Sequence, residues 1–119
     1  MSDAVERVAL VTGGASGMGA STCKRFARDG MAVGVLDINL AGAEAVAAEI
    51  NASGGRALAL EASIADKAQV GVAVEALRAA FGPIQVLVNN AAMEGFCPFA
   101  ELTEELLSSS AYGERWTQH

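Results

Sequence analysis

The sequence predicts an α/β fold of the doubly wound type, in which helices cover both faces of a parallel sheet. Short and almost wholly apolar segments recur along the chain, as expected of strands that are buried on both faces. Each of the first three is followed by a segment in which apolar residues recur at helical spacing. Repetition of strand and helix with short, glycine-bearing joints implies parallel pairing and right-handed crossovers.

The first half of the chain predicts two strands and two helices. Residues 7–12 form the first apolar run, and residues 18–28 carry apolar side chains at helical spacing, beginning with Met18. A second apolar run at 31–36 precedes a helix predicted over 40–53. The inward stripe of that helix follows the i, i+3, i+4, i+7 rule and consists of Ala43, Val46, Ala47 and Ile50.

The next part of the chain predicts two more strands around a third helix. An apolar strand at 57–61 is followed by Ser63 and Asp66, which have the spacing of a capping box. In such a box the Ser63 hydroxyl accepts from the N–H of residue 66, and the Asp66 carboxylate reaches back. The pair Gly82-Pro83 ends the helix, and residues 84–88 form the fourth strand.

The composition excludes several classes of partner. A formal charge of −6 over 119 residues argues against nucleic acid and anionic membranes, which require clustered lysine and arginine. No apolar run approaches the ~18 residues of a spanning helix, and no secretory signal is visible, so a soluble, cytoplasmic protein is expected. Cys23 and Cys97 lie 74 positions apart, a spacing that indicates two reduced thiols and no metal site.

The turn TGGASGMG, at residues 12–19, reads as a phosphate cradle. Gly13 and Gly17 allow backbone angles or close approaches that a Cβ would prevent, and Gly19 allows the helix to pack closely on the strand. The helix that follows would direct its first N–H groups at an anion. By itself the turn also fits an ordinary strand-to-helix loop in a glycine-rich chain.

Asp37 is the second candidate binding residue. It ends the second predicted strand, 20 positions after Gly17, where a carboxylate can accept hydrogen bonds from the ribose on the adenine side of a dinucleotide. The alternative is an aspartate that caps a helix or stabilises a turn. A carboxylate would repel a 2′-phosphate, and neither Ile38 nor Asn39 offers a cation, so NAD is favoured over NADP.

These motifs resemble the short-chain dehydrogenase/reductase family of NAD(P)-dependent oxidoreductases over roughly residues 5–107. The cradle of that family, Thr-Gly-x-x-x-Gly-x-Gly, corresponds to residues 12–19, and its Asn-Asn-Ala-Gly motif corresponds to residues 89–92. The resemblance implies a dinucleotide-binding half-domain over 1–107, truncated to about four strands in the order 3-2-1-4, and an atypical tail over 108–119. NAD is then expected to lie across the strand tips.

The residues expected to bind the cofactor follow from the cradle, Asp37 and the resemblance. They are Gly13, Ser16, Gly17, Met18, Gly19, Asp37, Ile38, Ser63, Ile64, Asn90, Ala91 and Ala92. Where the family usually has an acidic residue that contacts adenine, this chain has Ser63, which therefore either contacts adenine or only caps the third helix. Ile64 is expected to pack on the adenine ring. Ala92 replaces a glycine of the family motif, a change that we expect to be tolerated.

The resemblance also implies catalytic residues that this sequence does not show. The family uses a tyrosine with a lysine four residues later, and a phenol with a reference pKa of about 10 needs that cation to act as a base at neutral pH. The one tyrosine, Tyr112, is followed at that distance by Trp116. If a preceding stretch is deleted or left out, one of Ser108, Ser109 and Ser110 is the former catalytic serine, and Ser110 is the candidate chosen here. The alternative is an aberrant tail without function.

Two alternative functions are therefore consistent with the sequence. The first is the cofactor-binding part of an NAD-dependent enzyme that transfers hydride between a secondary alcohol or ketone and nicotinamide, as a homo-oligomer. The second is a non-catalytic nucleotide-binding or self-associating module, in which the fourth strand is left unpaired at the sheet edge and seeks a partner chain.

Overall fold

The structure is a computed structural model that describes residues 7–90 and 117–118. Strands and helices alternate along the first of these ranges, and a short strand forms the second. The strands are β1 (Val8–Thr12), β2 (Ala32–Asp37), β3 (Arg56–Glu61), β4 (Val86–Asn89) and β5 (Thr117–Gln118). The helices are α1 (Gly17–Arg28), α2 (Leu40–Ala52) and α3 (Lys67–Phe81).

The strands form one parallel sheet in the order β3-β2-β1-β4-β5. The predicted order 3-2-1-4 is confirmed, and β5 extends it. The prediction that β4 is an unpaired edge is wrong, because Val86 pairs with Thr117 and Leu87 with Gln118. This strand was not predicted, since two residues are too few to show a hydrophobic period.

The strand register brings the functional ends of three strands to one edge. Thr12 at the end of β1 lies opposite Leu36 of β2 on one side and Asn89 of β4 on the other. Because all these strands are parallel, the loops that leave them lie side by side at the carboxyl edge of the sheet. The order also reverses between β1 and β4, and ligands of doubly wound sheets bind at such a switch point.

Helices cover both faces of the sheet. On one face, α1 and α2 bury Cys23 and the predicted stripe of α2 against Val11, Val33 and Val35. On the other face, α3 buries its apolar side against a second set of strand residues. That set consists of Val8, Leu10, Ala32, Leu36, Leu60 and Leu87. Successive side chains of a strand point to opposite faces, so nearly continuous apolar strands supply both cores.

Two predictions about the helices need correction. Met18 does not belong to the inward stripe of α1, because this residue is 70% exposed in the first turn. Ser63 does not cap α3: the helix begins at Lys67, and the N-cap is Asp66, whose carboxylate accepts from the N–H of Gln69 at 3.1 Å. Ser63 instead donates its backbone N–H to Oε1 of Gln69 at 2.8 Å.

The helices of the described ranges are too short and too polar for a bilayer. None of them has the length and apolar character needed to cross a membrane. The predicted boundary between residues 107 and 108 lies outside the described residues, so the division into a half-domain and a tail stays a prediction.

Candidate functional site

The loop between β1 and α1 turns sharply on two glycines. Gly13 has a φ of 66° and Gly17 a φ of 59°, both in the left-handed region that favours glycine. Between them, the N–H of Gly14 donates to the carbonyl of Leu36 at 3.1 Å, so the loop is fastened to the end of β2. Thr12 is buried just before the turn, and its hydroxyl donates to the carbonyl of Val88 at 3.4 Å. These conformations support the prediction of a tight turn.

Gly19 lies in the first turn of α1, directly against this loop. A Cβ at this position would lie 2.8 Å from the carbonyl carbon of Gly13 and 2.9 Å from Nδ2 of Asn90. The same Asn90 amide donates to the carbonyl of Gly13 at 3.1 Å. The end of β4 therefore supports the loop through a side chain, and only glycine at position 19 leaves room for this arrangement.

The start of α1 differs from the starts of α2 and α3. Ser16 is the N-cap of α1, but its side chain makes no capping hydrogen bond. By contrast, Asn39 caps α2 by accepting from Gly42, and Asp66 caps α3. The first N–H groups of a helix attract anions, so the α1 start is suited to a ligand phosphate.

Asp37 lies at the end of β2, beside the loop. One carboxylate oxygen, Oδ2, accepts from the N–H of Ala15, and the other, Oδ1, accepts from the N–H of Asn39, each at 3.0 Å. Asp37 thus stabilises the turns on either side of it, which is the alternative role predicted for this aspartate. This role does not exclude a ribose contact, because each carboxylate oxygen can accept more than one hydrogen bond.

The remaining predicted binding residues flank the loop or the end of β3. Ile38, next to Asp37, is 69% exposed, and Met18 is exposed in the first turn of α1. Ser63 and Ile64 follow β3, where the Ser63 hydroxyl accepts from the N–H of Ala65 at 3.3 Å. Ile64 packs partly against the core under α3. Ala62, just before them, donates its N–H to the carbonyl of Asp37 at 3.3 Å, which brings this segment beside β2.

The structure brings together most of the predicted binding residues. Five of them lie in the loop, in the first turn of α1 or directly after β4, namely Gly13, Ser16, Gly17, Gly19 and Asn90. The other described ones lie at the same edge of the sheet. Predicted residues Ala91, Ala92 and Ser110 lie outside the described residues. In the ranges that are described, no group of three or more His, Cys, Asp or Glu could hold a metal ion.

Two residues with a role in this site were not predicted from the sequence. Ala15 donates to Asp37, and Asn39 both donates to Asp37 and caps α2. Asn39 carried a usable signal, since an asparagine directly before a helical pattern is a preferred N-cap. Ala15 carried none, because its part in the site is played by the backbone.

A buried thiol lies under the loop. Cys23 of α1 is fully buried, and its sulfur would lie 3.1 Å from a Cβ placed on Gly14. Burial raises the pKa of this thiol to about 12. The sulfur is therefore protonated at neutral pH and supports packing rather than nucleophilic chemistry.

Comparison with known proteins decides the family. Residues 7–111 match the sequence pattern of the short chain dehydrogenases. The chain belongs to the short-chain dehydrogenase family. The predicted resemblance is thereby confirmed. Members of this oxidoreductase family typically bind a nicotinamide cofactor.

Individual members of the short-chain dehydrogenase family are similar over most of this chain. An uncharacterized oxidoreductase of Bacillus subtilis is 44% identical over 97 residues, which are 80% of this chain and 14% of that protein. The D-threitol dehydrogenase of Mycolicibacterium smegmatis is 40% identical over 97 residues, or 82% of this chain and 37% of that enzyme. The crystal structure of a 3-ketoacyl-ACP reductase from Sinorhizobium meliloti superposes with a TM-score of 0.67 at 43% identity, covering 68% of this chain and 32% of the reductase.

The chain spans less than half the length of these relatives. The region matched by the family pattern, residues 7–111, contains the glycine-rich loop, β2 and β4.

Proposed function

We propose that the described part of this chain binds NAD at the carboxyl edge of the sheet, with its pyrophosphate at the start of α1 and its adenosine ribose at Asp37. The observation that carries this proposal is that the start of α1 has no side-chain cap, while the loop just before it is bonded, through the N–H of Ala15, to the Asp37 carboxylate. Met18 in the first turn of α1 and Ile38 next to Asp37 are exposed apolar residues, suited to cover the flat faces of a nucleotide.

The preference for NAD over NADP rests on charge. A 2′-phosphate next to Asp37 would bring like charges together, which costs free energy unless a cation compensates. Neither of the next two residues, Ile38 and Asn39, is a cation. Ser63 and Ile64 are proposed to lie at the adenine, and Asn90, with Ala91 and Ala92, near the ribose on the nicotinamide side.

The whole protein is proposed to be an NAD-dependent dehydrogenase or carbonyl reductase acting on a small secondary alcohol or ketone. The bound cofactor supplies hydride transfer, and this chain's residues hold and orient it. We further propose a cytoplasmic homo-oligomer, with residues 1–107 as the cofactor-binding unit and 108–119 as an atypical tail. Ser110 stays a candidate catalytic residue on sequence grounds.

Titration calorimetry tests the binding proposal. The 119-residue chain is expected to bind NAD at least about tenfold more tightly than NADP, a difference of about 1.4 kcal/mol. Asp37→Ala should weaken NAD binding and narrow that difference. Asp29→Asn removes the same charge at the other end of α1 and should change neither value. Equal affinity of the wild-type chain for both cofactors, or no binding of either, would contradict the proposal.

A further inference from the structure

The carboxylate of Asp37 connects two loops at the carboxyl edge of the sheet. Its Oδ2 accepts from Ala15 in the loop between β1 and α1, and its Oδ1 accepts from Asn39 in the turn between β2 and α2. Both bonds are 3.0 Å long and engage backbone N–H groups. Hydrogen bonds to an ionised acceptor are roughly twice as strong as neutral ones, so one side chain fixes both segments.

Further contacts continue from these two bonds into α2. The Asn39 side chain accepts from the N–H of Gly42 at 3.1 Å and so caps the helix. A Cβ on Gly42 would lie 3.0 Å from the Cβ of Ala15, so glycine at position 42 leaves room for the loop. The loop thus contacts the start of α2 through packing as well as through the carboxylate.

The loop needs such support because its own backbone is permissive. Gly13 and Gly17 adopt left-handed conformations, and glycine loses more conformational entropy on ordering than any other residue. Ser16 contributes no capping hydrogen bond that would fix the start of α1. The bonds that hold the centre of the loop to β2 are the backbone bond from Gly14 to Leu36 and the bond from Ala15 to Asp37.

We propose that Asp37 is a positioning residue for the glycine-rich loop, so that one carboxylate couples recognition of the adenosine ribose to binding of the pyrophosphate. The coupling rests on the proposed function, whereas the positioning is a property of the ligand-free chain. The oxygens retain lone pairs beyond those used by Ala15 and Asn39, and these can accept ribose hydroxyls while both loops stay fixed.

The positioning requires a carboxylate and not merely a polar side chain. An asparagine has one acceptor oxygen, so its amide group would face one of the two N–H donors that Asp37 now satisfies. A change at position 37 that is meant to admit a 2′-phosphate would therefore also release the loop that binds the pyrophosphate. Cofactor preference and loop order cannot be altered independently at this residue.

Hydrogen exchange of the ligand-free protein tests the positioning. In the wild-type chain the amides of Ala15 and Asn39 should exchange at least tenfold more slowly than in an unstructured peptide. Asp37→Asn should speed exchange at one or both of them by about tenfold, while amides of the β2 core such as Val35 stay protected. Asp29→Asn serves as the charge-matched control and should leave both amides unchanged. Unprotected amides in the wild type, or unchanged exchange in Asp37→Asn, would overturn the positioning role.

Binding of ADP and of 2′,3′-dideoxy-ADP tests the coupling, because the second ligand lacks both ribose hydroxyls. If Asp37 only bound the ribose, Asp37→Asn would bind the dideoxy ligand as tightly as wild type, and that result would overturn the coupling. We expect the variant to bind it about threefold to tenfold more weakly. Failure of the wild type to bind ADP at all would contradict the proposed function and the coupling with it, and hydrogen exchange alone would then decide the positioning role.

Discussion

Gly19 is the residue whose lack of a side chain most directly serves the proposed cofactor site. A Cβ there would meet the Gly13 carbonyl carbon at 2.8 Å and the Asn90 amide at 2.9 Å, and the first of these is backbone that cannot rotate away. We expect Gly19→Ala to lower the free energy of unfolding by about 1–3 kcal/mol, the usual cost of overpacking, and to abolish NAD binding. Urea unfolding and calorimetry measure the two effects.

Gly71 provides the matched control for that substitution. It lies in the middle of α3, and nothing stands within 4 Å of a Cβ placed on it. Gly71→Ala should therefore raise the free energy of unfolding by about 0.5–1 kcal/mol, because alanine is the better helix former. If both substitutions had the same effect, the close approach at Gly19 would not be the cause.

Burial of the Cys23 thiol should make the free energy of unfolding depend on pH. Burial raises the pKa of this thiol from 9.0 to about 12, so the unfolded chain loses the proton at lower pH than the folded one. Ionisation then favours the unfolded state, and the free energy of unfolding should be unaffected below about pH 8 and fall by about 2 kcal/mol by about pH 10.5. Denaturant unfolding of wild type and Cys23→Ala at the two pH values isolates this slope, since the other titrating groups are common to both. An identical slope in both proteins would contradict the assignment.

Helix α3 depends on Asp66 as its N-cap. The carboxylate accepts from the N–H of Gln69 at 3.1 Å, one of the donors that a helix start leaves without a partner inside the helix. Asp66→Ala should lower the free energy of unfolding by about 1 kcal/mol, whereas Asp66→Asn, an equally good cap, should be nearly neutral. Chemical denaturation checks both. An equal loss in the two variants would show that charge rather than capping matters here.

The elements themselves were largely predictable from hydrophobic spacing. Parallel strands buried on both faces read as continuous apolar runs, and the predicted inward stripe of α2 is buried as expected. The start of α3 was not predictable, because Ser63 and Asp66 each have the chemistry of an N-cap and lie three residues apart. Gln69 decides between them by bonding to the backbone of Ser63, a contact that spacing alone does not reveal.

The candidate site was predictable in its membership but not in its contacts. Asp37 stands at the expected distance from the glycine-rich turn, because the length of one strand-helix-strand unit fixes that separation. Its bond to the backbone of Ala15 spans 22 positions and involves a residue type without a polar side chain. Met18 lies at an apolar position of a helical pattern, yet it is exposed because it precedes the part of α1 that packs on the sheet.

For the molecule as a whole, the proposed site depends on the reversal of strand order between β1 and β4. The glycine-rich loop leaves β1 toward one side, and Asn90, directly after β4, reaches back to the Gly13 carbonyl from the other. The crevice between them is formed only when α1 and α3 lie on opposite faces of the sheet. Cofactor binding should therefore require that the entire sheet is folded, and not only the glycine-rich loop.

Binding should accordingly stabilise the molecule as a unit. A ligand that binds only the folded state at a hundred times its dissociation constant raises the free energy of unfolding by about 2.7 kcal/mol. We expect NAD at a hundred times its dissociation constant to raise the free energy of unfolding by that amount. NADP at the same concentration should raise it less. The Gly19→Ala variant should show no shift with either cofactor. An equal shift in the variant would place the binding elsewhere in the molecule.

We expect no turnover of alcohols by the 119-residue chain. The family mechanism needs a lysine four residues after its tyrosine, and Trp116 stands at that distance from Tyr112. Without that cation a phenol is a poor base at neutral pH, so we expect the 119-residue chain to bind NAD without reducing it. Absorbance of NADH during incubation with secondary alcohols checks this. Turnover by wild type that Gly19→Ala abolishes would overturn the prediction, whereas turnover that the variant retains would come from a contaminating enzyme.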